Sequence, residues 1–529
     1  MAGLPLPGPE LTAGELASID ADAVTPATPA TPGAVTPATA IPDGVRSMAR
    51  TLRAGGHEAH LVGGCVRDLL RGTPPLDWDV ATDARPDRLL ALFGGSRYEN
   101  RFGTVAVPLD DGVHEVTTFR HDGTYSDHRR PDDVTFGDTL DEDLARRDFT
   151  VNAMAVPLDA DGLPGAVVDR WGGRADLAAG LLRAVGDPGA RFREDALRML
   201  RAVRFAATLG FTVEPATRAA IAAEAPLAVH VSGERTFVEL MRLLAADRPS
   251  VGLRLAEETG LLTVVAPGLA LQRGIPQAKI PGDDLWDHTW RTVDAAAPQL
   301  VDGLPLVRTA ALLHDLGKPA TFADGHFVGH ETVGAELAAA WLDDLRAPRT
   351  FTVRVANLIR HHMFAYSADW SDAAVRRFIR RVGQTAFEDL LDLRAADNIG
   401  SGLAANVDGL DDLRTRCRAQ LAAHVALARG DLAVDGDDLM RALSLAPGPT
   451  VGRLLDELLE RVLADPLLNE RGRLVAIARE VWASDGGAGP AGGTTATPEE
   501  TATPGETGTP EETGTGPGPC AAPPPEPGP

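Results

Sequence analysis

The chain has 529 residues, 24% of them charged and 5% aromatic, with a formal net charge of −24. That length holds several domains with sizeable cores; no apolar run reaches a membrane span, and the N-terminus lacks the basic and apolar segments of a signal peptide. Cys65, Cys417 and Cys520 are too few and too scattered for a disulfide framework or a zinc site, so a reducing, cytoplasmic setting is expected, with no membrane and no obligate protein partner evident.

Half of the net charge comes from the two ends. Residues 1–44 and 484–529 hold five and seven acids and no Lys or Arg, leaving −12 for the body. Both ends mix Pro, Thr, Ala, Gly and Glu, as in TPATPATPGAVTPATA and TPEETATPGETGTPEE, and are expected to stay extended and solvated. In the body only Lys279 and Lys318 are lysines. Contact with a polyanion would therefore depend on local arginine clusters and be salt-sensitive.

The folded part opens at about residue 45. HEAHLVGG reads as an entering strand, and Leu61 to Asp83, LVGGCVRDLLRGTPPLDWDVATD, as loop, helix, turn and the start of another strand. Gly63 and Gly64 leave bare backbone ahead of Arg67, where a phosphate can approach and be capped by helix N–H groups. Asp77 and Asp79 flank Trp78, so in a strand both point to one face, near enough to share divalent cations. As an isolated pair after Pro74 and Pro75 they would suit a solvated turn equally well. Together, GGxxRD and the DWDVAT that begins nine residues after its aspartate resemble the head of the nucleotidyltransferase superfamily. More specifically, they resemble bacterial tRNA nucleotidyltransferases, the family that joins CCA-adding enzymes and the related poly(A) polymerases.

DRLLALF then reads as a short helix, and TVAVPL and HEVTTF as adjacent strands by alternation and β-branching. Glu115 sits in the second of these. A strand acid is usually a solvated residue, but beside the DxD strand it fits the third carboxylate that the resemblance implies. HDGTYSDHRRPDDVTF, with Arg129 and Arg130, reads as a mobile loop over the site or a solvated one. RRDFTVNAMA is read as one short helix-like segment with Phe149, Val151 and Met154 facing the core. By resemblance it is the ribose and triphosphate motif, with Arg147, Asp148 and Asn152 contacting the nucleotide. DRWGGRADL resembles a flexible junction, with Gly172 and Gly173 supplying the bend.

In RFREDALRMLRAVRFAATLGF, Leu200, Val203 and Ala207 share a helical face, while Asp195 and Arg198 stand three apart on another. Arg donates to a ring nitrogen and Asp accepts from an exocyclic amine, which suits cytosine and adenine and rejects uracil and guanine by an acceptor–acceptor clash. By resemblance, Glu194-Asp195-x-x-Arg198 is the base-reading motif, with Glu194 orienting Arg198. Arg201 and Arg204 extend the ridge as RNA contacts or as a solvated face.

Beyond about residue 285 the pattern becomes all-helical with clustered histidines, in WDHTWRTV, VRTAALLHDLGKP, FVGHETVGAEL, LIRHHM and LRAADN. This series resembles an HD phosphohydrolase domain. The resemblance implies a divalent metal (Mg2+, Mn2+ or Ni2+) held by His288, His314, Asp315 and Asp397, with His330 and His361 as second-site or phosphate-binding groups. VRRFIRRVG pairs Arg376 with Arg380 and Arg377 with Arg381, a tRNA contact or a solvated surface. Residues 406–483 are amphipathic and helical without a motif.

The expected fold class is α+β: a small mixed-sheet nucleotidyltransferase head over 45–185, then an elongated all-α neck over 186–285, an HD domain over 286–405 and C-terminal helices. The resemblance implies untemplated addition of nucleotides to the tRNA 3′ end from CTP and ATP, by two-metal nucleotidyl transfer at Asp77, Asp79 and Glu115 with Mg2+. A poly(A) polymerase or an A-adding specialist shares these motifs. A nitrogen-regulatory uridylyltransferase would lack RRDFT and EDxxR, and a non-catalytic RNA-binding scaffold would not require intact metal ligands.

Overall fold

A computed structural model describes residues 41–485 apart from 99–102, 123–133, 138 and 278. Among the described residues, those up to Leu432 together with Leu459–Leu468 form one compact unit, and Ala433–Leu458 with those from Asn469 onward form a second.

The first unit opens with an amphipathic helix, Asp43–Ala54. Val45, Met48, Ala49 and Leu52 recur at helical spacing and are buried, the three larger side chains worth roughly 1.5–3 kcal/mol each where fully enclosed. The strands follow as β1 (His60–Val62), β2 (Asp79–Thr82), β3 (Arg97–Tyr98), β4 (Thr104–Leu109), β5 (Gly112–Thr118), β6 (Arg120–Asp122), β7 (Val134–Phe136), β8 (Met154–Pro157) and β9 (Val168–Asp169). Seven of them form a mixed sheet in the order β3-β4-β5-β2-β1-β8-β9. Only β2 and β5 run parallel within it, with Asp79 opposite Glu115. Alternation sorts the faces. Leu61, Val80, Val116 and Val156 pack on one side with the first helix, while Val62, Ala81 and Ala155 pack on the other with Phe119 and Leu144. Trp78 packs toward the first core. Strand β2 begins only at Asp79, so Asp77 occupies a bend just before it rather than the strand expected.

RRDFTVNAMA is not one helix. A helix over Leu140–Ala145 ends before it, Phe149 is extended and bridges to Ala184, Thr150–Asn152 make a single 3-10 turn, and Met154 starts β8. Phe149, Val151 and Met154 are nevertheless fully buried, because the turn and strand bring them to the same core. The Asp169–Leu177 junction also differs from expectation. Asp169 ends β9 at the sheet edge and accepts from the Gly173 and Arg174 N–H groups, and a Cβ on Gly173 would stand 2.2 Å from the Thr150 carbonyl oxygen. Gly173 thus serves close packing inside the head, while Gly172 takes the left-handed turn (φ +76) that opens the Gly173–Ala179 helix. Of HDGTYSDHRRPDDVTF, only the flanking β6–β7 pairing is described; Arg129 and Arg130 lie outside the described residues.

Helices follow from Pro188 on, the principal ones being Pro188–Glu194, Leu197–Leu209, Pro215–Glu224, Gly233–Leu244 and Pro249–Glu258, then Leu285–Ala295, Leu306–Leu313, His330–Asp344, Arg349–His361 and Phe387–Gly400. Buried Arg308 donates to the carbonyls of Leu244, Ala246 and Ala296, fastening the Gly233–Leu244 helix end to the histidine-bearing helices. Arg376 is likewise structural rather than solvated: it is buried, and binds the carbonyls of Leu463 and Ala464 and the Gln420 side chain. Arg377 and Arg380 both pair with Glu460. In the second unit, Asp435 and Asp438 form a reciprocal capping box on Gly436–Leu443. No helix among the described residues is long and apolar enough to cross a membrane.

Candidate nucleotidyl-transfer and metal sites

The head site is built where β1 turns into the Gly64–Arg71 helix. Gly63 adopts φ +76, and a Cβ there would lie 2.8 Å from Arg147 Nη1 and 3.5 Å from Asp79 Oδ2, so only glycine lets the turn, the arginine and the carboxylate meet. Gly64 has no such constraint, its nearest neighbour being Arg67 at 3.6 Å. Glu115 lies beside Asp79 in register, on the same face of the sheet. The protein around Asp79 raises its carboxyl pKa above the usual range, and Asp77 and Asp143 push the same way against Arg147. Asp79 and Glu115 in register, with Asp77 close by and Arg147 beside them, offer hard carboxylate oxygens of the kind that suits divalent cations.

Arg147 is fixed from beneath. Fully buried Asp143 accepts from Arg147 Nη2 at 3.0 Å and from Arg146 Nη2 at 2.6 Å. Burial opposes the Asp143 charge, but the two guanidinium groups hold its pKa down at about 2. A second string runs from Arg67, whose Nη1 donates to Asn152 Oδ1 at 2.8 Å. Asn152 Nδ2 reaches Asp148 Oδ1 at 3.3 Å, and Arg201 Nε donates to Asp148 Oδ2 at 2.7 Å.

The Asp195/Arg198 pair does not lie on one continuous helix. Pro188–Glu194 stops at Asp195, which has extended backbone, and Leu197–Leu209 begins after it. The Asp195 carboxylate causes the break, because its Oδ1 accepts from the Leu197 N–H at 3.1 Å. Its Oδ2 accepts from Arg235 at 2.6 Å. Arg198 donates to Glu194 at 2.7 Å and to the Arg146 carbonyl at 2.8 Å, tying the helix to the head. Arg201 and Arg204 face inward rather than along an RNA path, Arg201 to Asp148 and Arg204 Nε to buried Glu239 at 2.7 Å.

The second centre is assembled from helix ends. His288 Nε2 and His314 Nε2 stand 3.1 Å apart. Asp315 Oδ2 lies 3.5 Å and 3.2 Å from them, and Asp397 Oδ1 is 3.2 Å from His288. The other Asp315 oxygen lies 3.5 Å from His330 Nε2, which is 3.3 Å from His362 Nε2. Two overlapping groups result, His288–His314–Asp315 and Asp315–His330–His362. His362, not His361, completes the second. His361 ends the Arg349–His361 helix and is half-buried, while the residue after it turns into the centre. The Nδ1 atoms of His314, His330 and His362 lie 2.7–2.8 Å from the carbonyls of Ala311, Phe327 and Ile359. Those nitrogens carry the protons, so each Nε2 offers a lone pair inward. Burial, with His314, depresses the His362 pKa to about 3 and keeps its ring neutral. Lone pairs facing one another beside two carboxylates fit divalent metal.

With this geometry in place, comparison with known proteins is direct. Residues 59–183 match the family described as the Poly A polymerase head domain, 210–272 the probable RNA and SrmB-binding site of polymerase A, and 285–400 the HD domain. A CCA-adding enzyme of Geobacillus kaustophilus is 35% identical over 432 residues, which cover 81% of this chain and 94% of that one. The chain belongs to the CCA-adding enzyme family. A Geobacillus thermodenitrificans member is 50% identical over 222 residues, 42% of this chain and 54% of that protein. The solved Bacillus stearothermophilus CCA-adding enzyme, in complex with CTP, has a TM-score of 0.63 at 29% identity and covers 84% of this chain and 98% of that one. As a member of this family, the chain is a tRNA nucleotidyltransferase.

Sequence reasoning about this family member missed Asp143, Arg235, Lys318 and His362. Asp143 stands three and four residues before the arginines it anchors, a spacing that could have been used. Lys318, three residues after Asp315, lies 2.7 Å from its carboxylate. Arg235 is far from Asp195 in sequence and carries no comparable signal.

Proposed function

We propose that the chain adds C and A nucleotides to the 3′ end of tRNA, from CTP and ATP and without a nucleic acid template, in the cytoplasm. The observation that carries this reading is the single path joining the Asp79–Glu115 register pair, through Arg147, Asn152 and Asp148, to Arg201 on the helix that bears Arg198 and follows directly on Asp195. It runs from the expected point of chemistry to the expected point of base selection.

In this reading Arg147 and the Gly63–Gly64 backbone receive the triphosphate, and Asp148 and Asn152 accept and donate at the ribose. Asp195 accepts the exocyclic amine of C or A while Arg198, steered by Glu194, donates to the ring nitrogen. The tRNA hydroxyl oxygen bonds to the α-phosphorus as its proton passes to a neighbouring carboxylate of the Asp77, Asp79 and Glu115 set, the α–β bridging bond breaks, and pyrophosphate leaves with that electron pair. Divalent cations, Mg2+ foremost, held by Asp77, Asp79 and Glu115 in the two-metal manner, would supply positive charge to the triphosphate and the attacking oxygen.

We also propose a second, hydrolytic activity at the histidine centre, acting on phosphomonoesters or 2′,3′-cyclic phosphates of RNA ends. His288, His314, Asp315 and Asp397 would hold a divalent ion (Mg2+, Mn2+ or Ni2+), with His330 and His362 completing an adjoining set.

Extension of tRNA transcripts ending before CCA, after C and after CC, with CTP and ATP supplied separately and together, tests the transferase reading. Restoration of CCA followed by a stop is expected. A alone on the CC end would make the chain an A-adding specialist, and long adenosine tracts on generic RNA a poly(A) polymerase.

A further inference from the structure

Of the 51 basic residues only Lys279 and Lys318 are lysine, and both stand at the histidine–carboxylate centre. Lys318 lies at its buried end, 9% exposed, with Nζ 2.7 Å from Asp315 Oδ2. Lys279 lies at its open end. Its Nζ donates to Ser401 Oγ at 2.8 Å and is 3.9 Å from Asp397 Oδ1. Ser401 and Asp397 are buried, whereas the Lys279 side chain is 47% exposed.

Elsewhere in this chain the task of tying a carboxylate or a carbonyl falls to arginine, as at Asp143, Asp148 and the Leu244 carbonyl. Asp397 already has such a tie, because Arg394 reaches its other oxygen at 3.3 Å. A further structural clamp does not account for Lys279. A guanidinium presents a rigid fork, whereas an ammonium is a compact charge on a flexible stem that can exchange one oxygen partner for another. Lys279 is bonded to a neutral hydroxyl at its exposed end, a partner that a phosphate oxygen outcompetes because it adds the attraction of a full opposite charge to the same hydrogen bond.

We propose that Lys279 binds a phosphate oxygen of the substrate at the mouth of this centre, leaving Ser401 to do so. The ligand class is a terminal phosphate on a nucleotide or RNA end. The inference rests on reading the centre as a phosphohydrolase site and names the group that would seat its substrate.

The test uses the full chain loaded with Mn2+ and inorganic phosphate as the probe, with calorimetry for affinity, elemental analysis for bound metal, and p-nitrophenyl phosphate for turnover. Lys279→Met should weaken phosphate binding by about tenfold or more and raise KM in step, with kcat within about twofold and metal stoichiometry unchanged. Lys279→Arg should recover part of the affinity. Unchanged phosphate affinity in Lys279→Met, loss of metal from it, or no phosphate binding by the parent chain would each overturn the proposal. A parent chain that hydrolyses no phosphoester, yet binds phosphate in a Lys279-dependent way, would remove the hydrolase reading and keep the anion site.

Discussion

Arg201 Nε donates to Asp148 Oδ2 at 2.7 Å, joining the helix after Asp195 to the segment that carries Arg147 and Asn152. Each partner is held again on its far side, Asp148 by the Phe149 N–H at 2.8 Å and Arg201 by Glu239 at 3.6 Å. Head and neck are thus fastened through an ion pair whose acid is buried. Replacing Arg201 by Met strands that carboxylate. We expect a loss of about 2 kcal/mol, below the full cost of breaking a buried pair because Arg201 is partly exposed, largely restored by adding Asp148→Asn. Urea unfolding at neutral pH measures both, and a single variant as stable as the parent would contradict the account.

The acid limb of stability follows from the same groups. Burial works against the Asp148 charge, but Arg201, the Phe149 N–H and Arg198 hold its pKa down at about 2, and Asp143 is held at about 2 by Arg146 and Arg147. A depressed carboxylate contributes stability that is complete above its unfolded pKa of about 3.9 and is lost as the pH falls through the folded value. Each group should contribute roughly 2–3 kcal/mol above pH ~4 that disappears by pH ~2. Urea midpoints of the parent and of Asp148→Asn should converge across that window. A constant gap between them would show that ionisation of Asp148 is not what matters.

Gly63→Ala tests the turn. The new methyl would meet Arg147 Nη1 at 2.8 Å in a backbone with φ +76, costing about 1–3 kcal/mol and moving the guanidinium. Nucleotide KM should rise more than tenfold. Gly64→Ala, with nothing closer than 3.6 Å, should keep parental stability, and equal melting temperatures for the two variants would count against the packing argument.

Asp79→Asn should separate activity from folding. Several kcal/mol of charge stabilisation at the reacting phosphate corresponds to a fall in extension rate on the order of a thousandfold. A carboxyl whose pKa is raised by its surroundings and by Asp77 and Asp143 destabilises the fold while ionised, so the metal-free melting temperature should hold or rise. A drop of several degrees would sink this reading of Asp79.

His362→Ala and His361→Ala should behave differently. Only His362 turns its Nε2 toward His330, at 3.3 Å. Loss of His362 should lower bound divalent ion and abolish the rise in melting temperature on adding Mn2+, while His361→Ala keeps both. Equal effects of the two substitutions on metal content would return the assignment to the doublet as a whole.

Much of this was legible along the chain because the relevant interactions are local. Alternating Val and Thr side chains marked β4 and β5, and the short spacings within GGxxRD, DWD, RRDFTVN and HD keep each group of functional residues within a few positions of one another along the chain. The strand that carries Glu115 was also legible, since HEVTTF alternates and is β-branched, and the parallel register places Glu115 opposite Asp79. Helix continuity was not. Periodicity carried RRDFTVNAMA and EDALR through as helix, yet Asp195 bonds its own Leu197 N–H and breaks the run, and Phe149 is drawn out to bridge Ala184. A short polar side chain competing for backbone, or a distant strand partner, leaves no periodic signature.

By itself, the amino-acid order determined the chemistry, meaning which acids, arginines and histidines are present and which lie within a turn of one another. Only the tertiary structure decided their partners across distance. Asp195 meets Arg235, Arg204 turns inward to Glu239, and Asp315 divides its two oxygens between histidines from three separate helices. It also decided between His361 and His362, because adjacent residues at a helix end differ by about 100° in direction and only packing against the His330–Asp344 helix selects which of them faces His330 and His314.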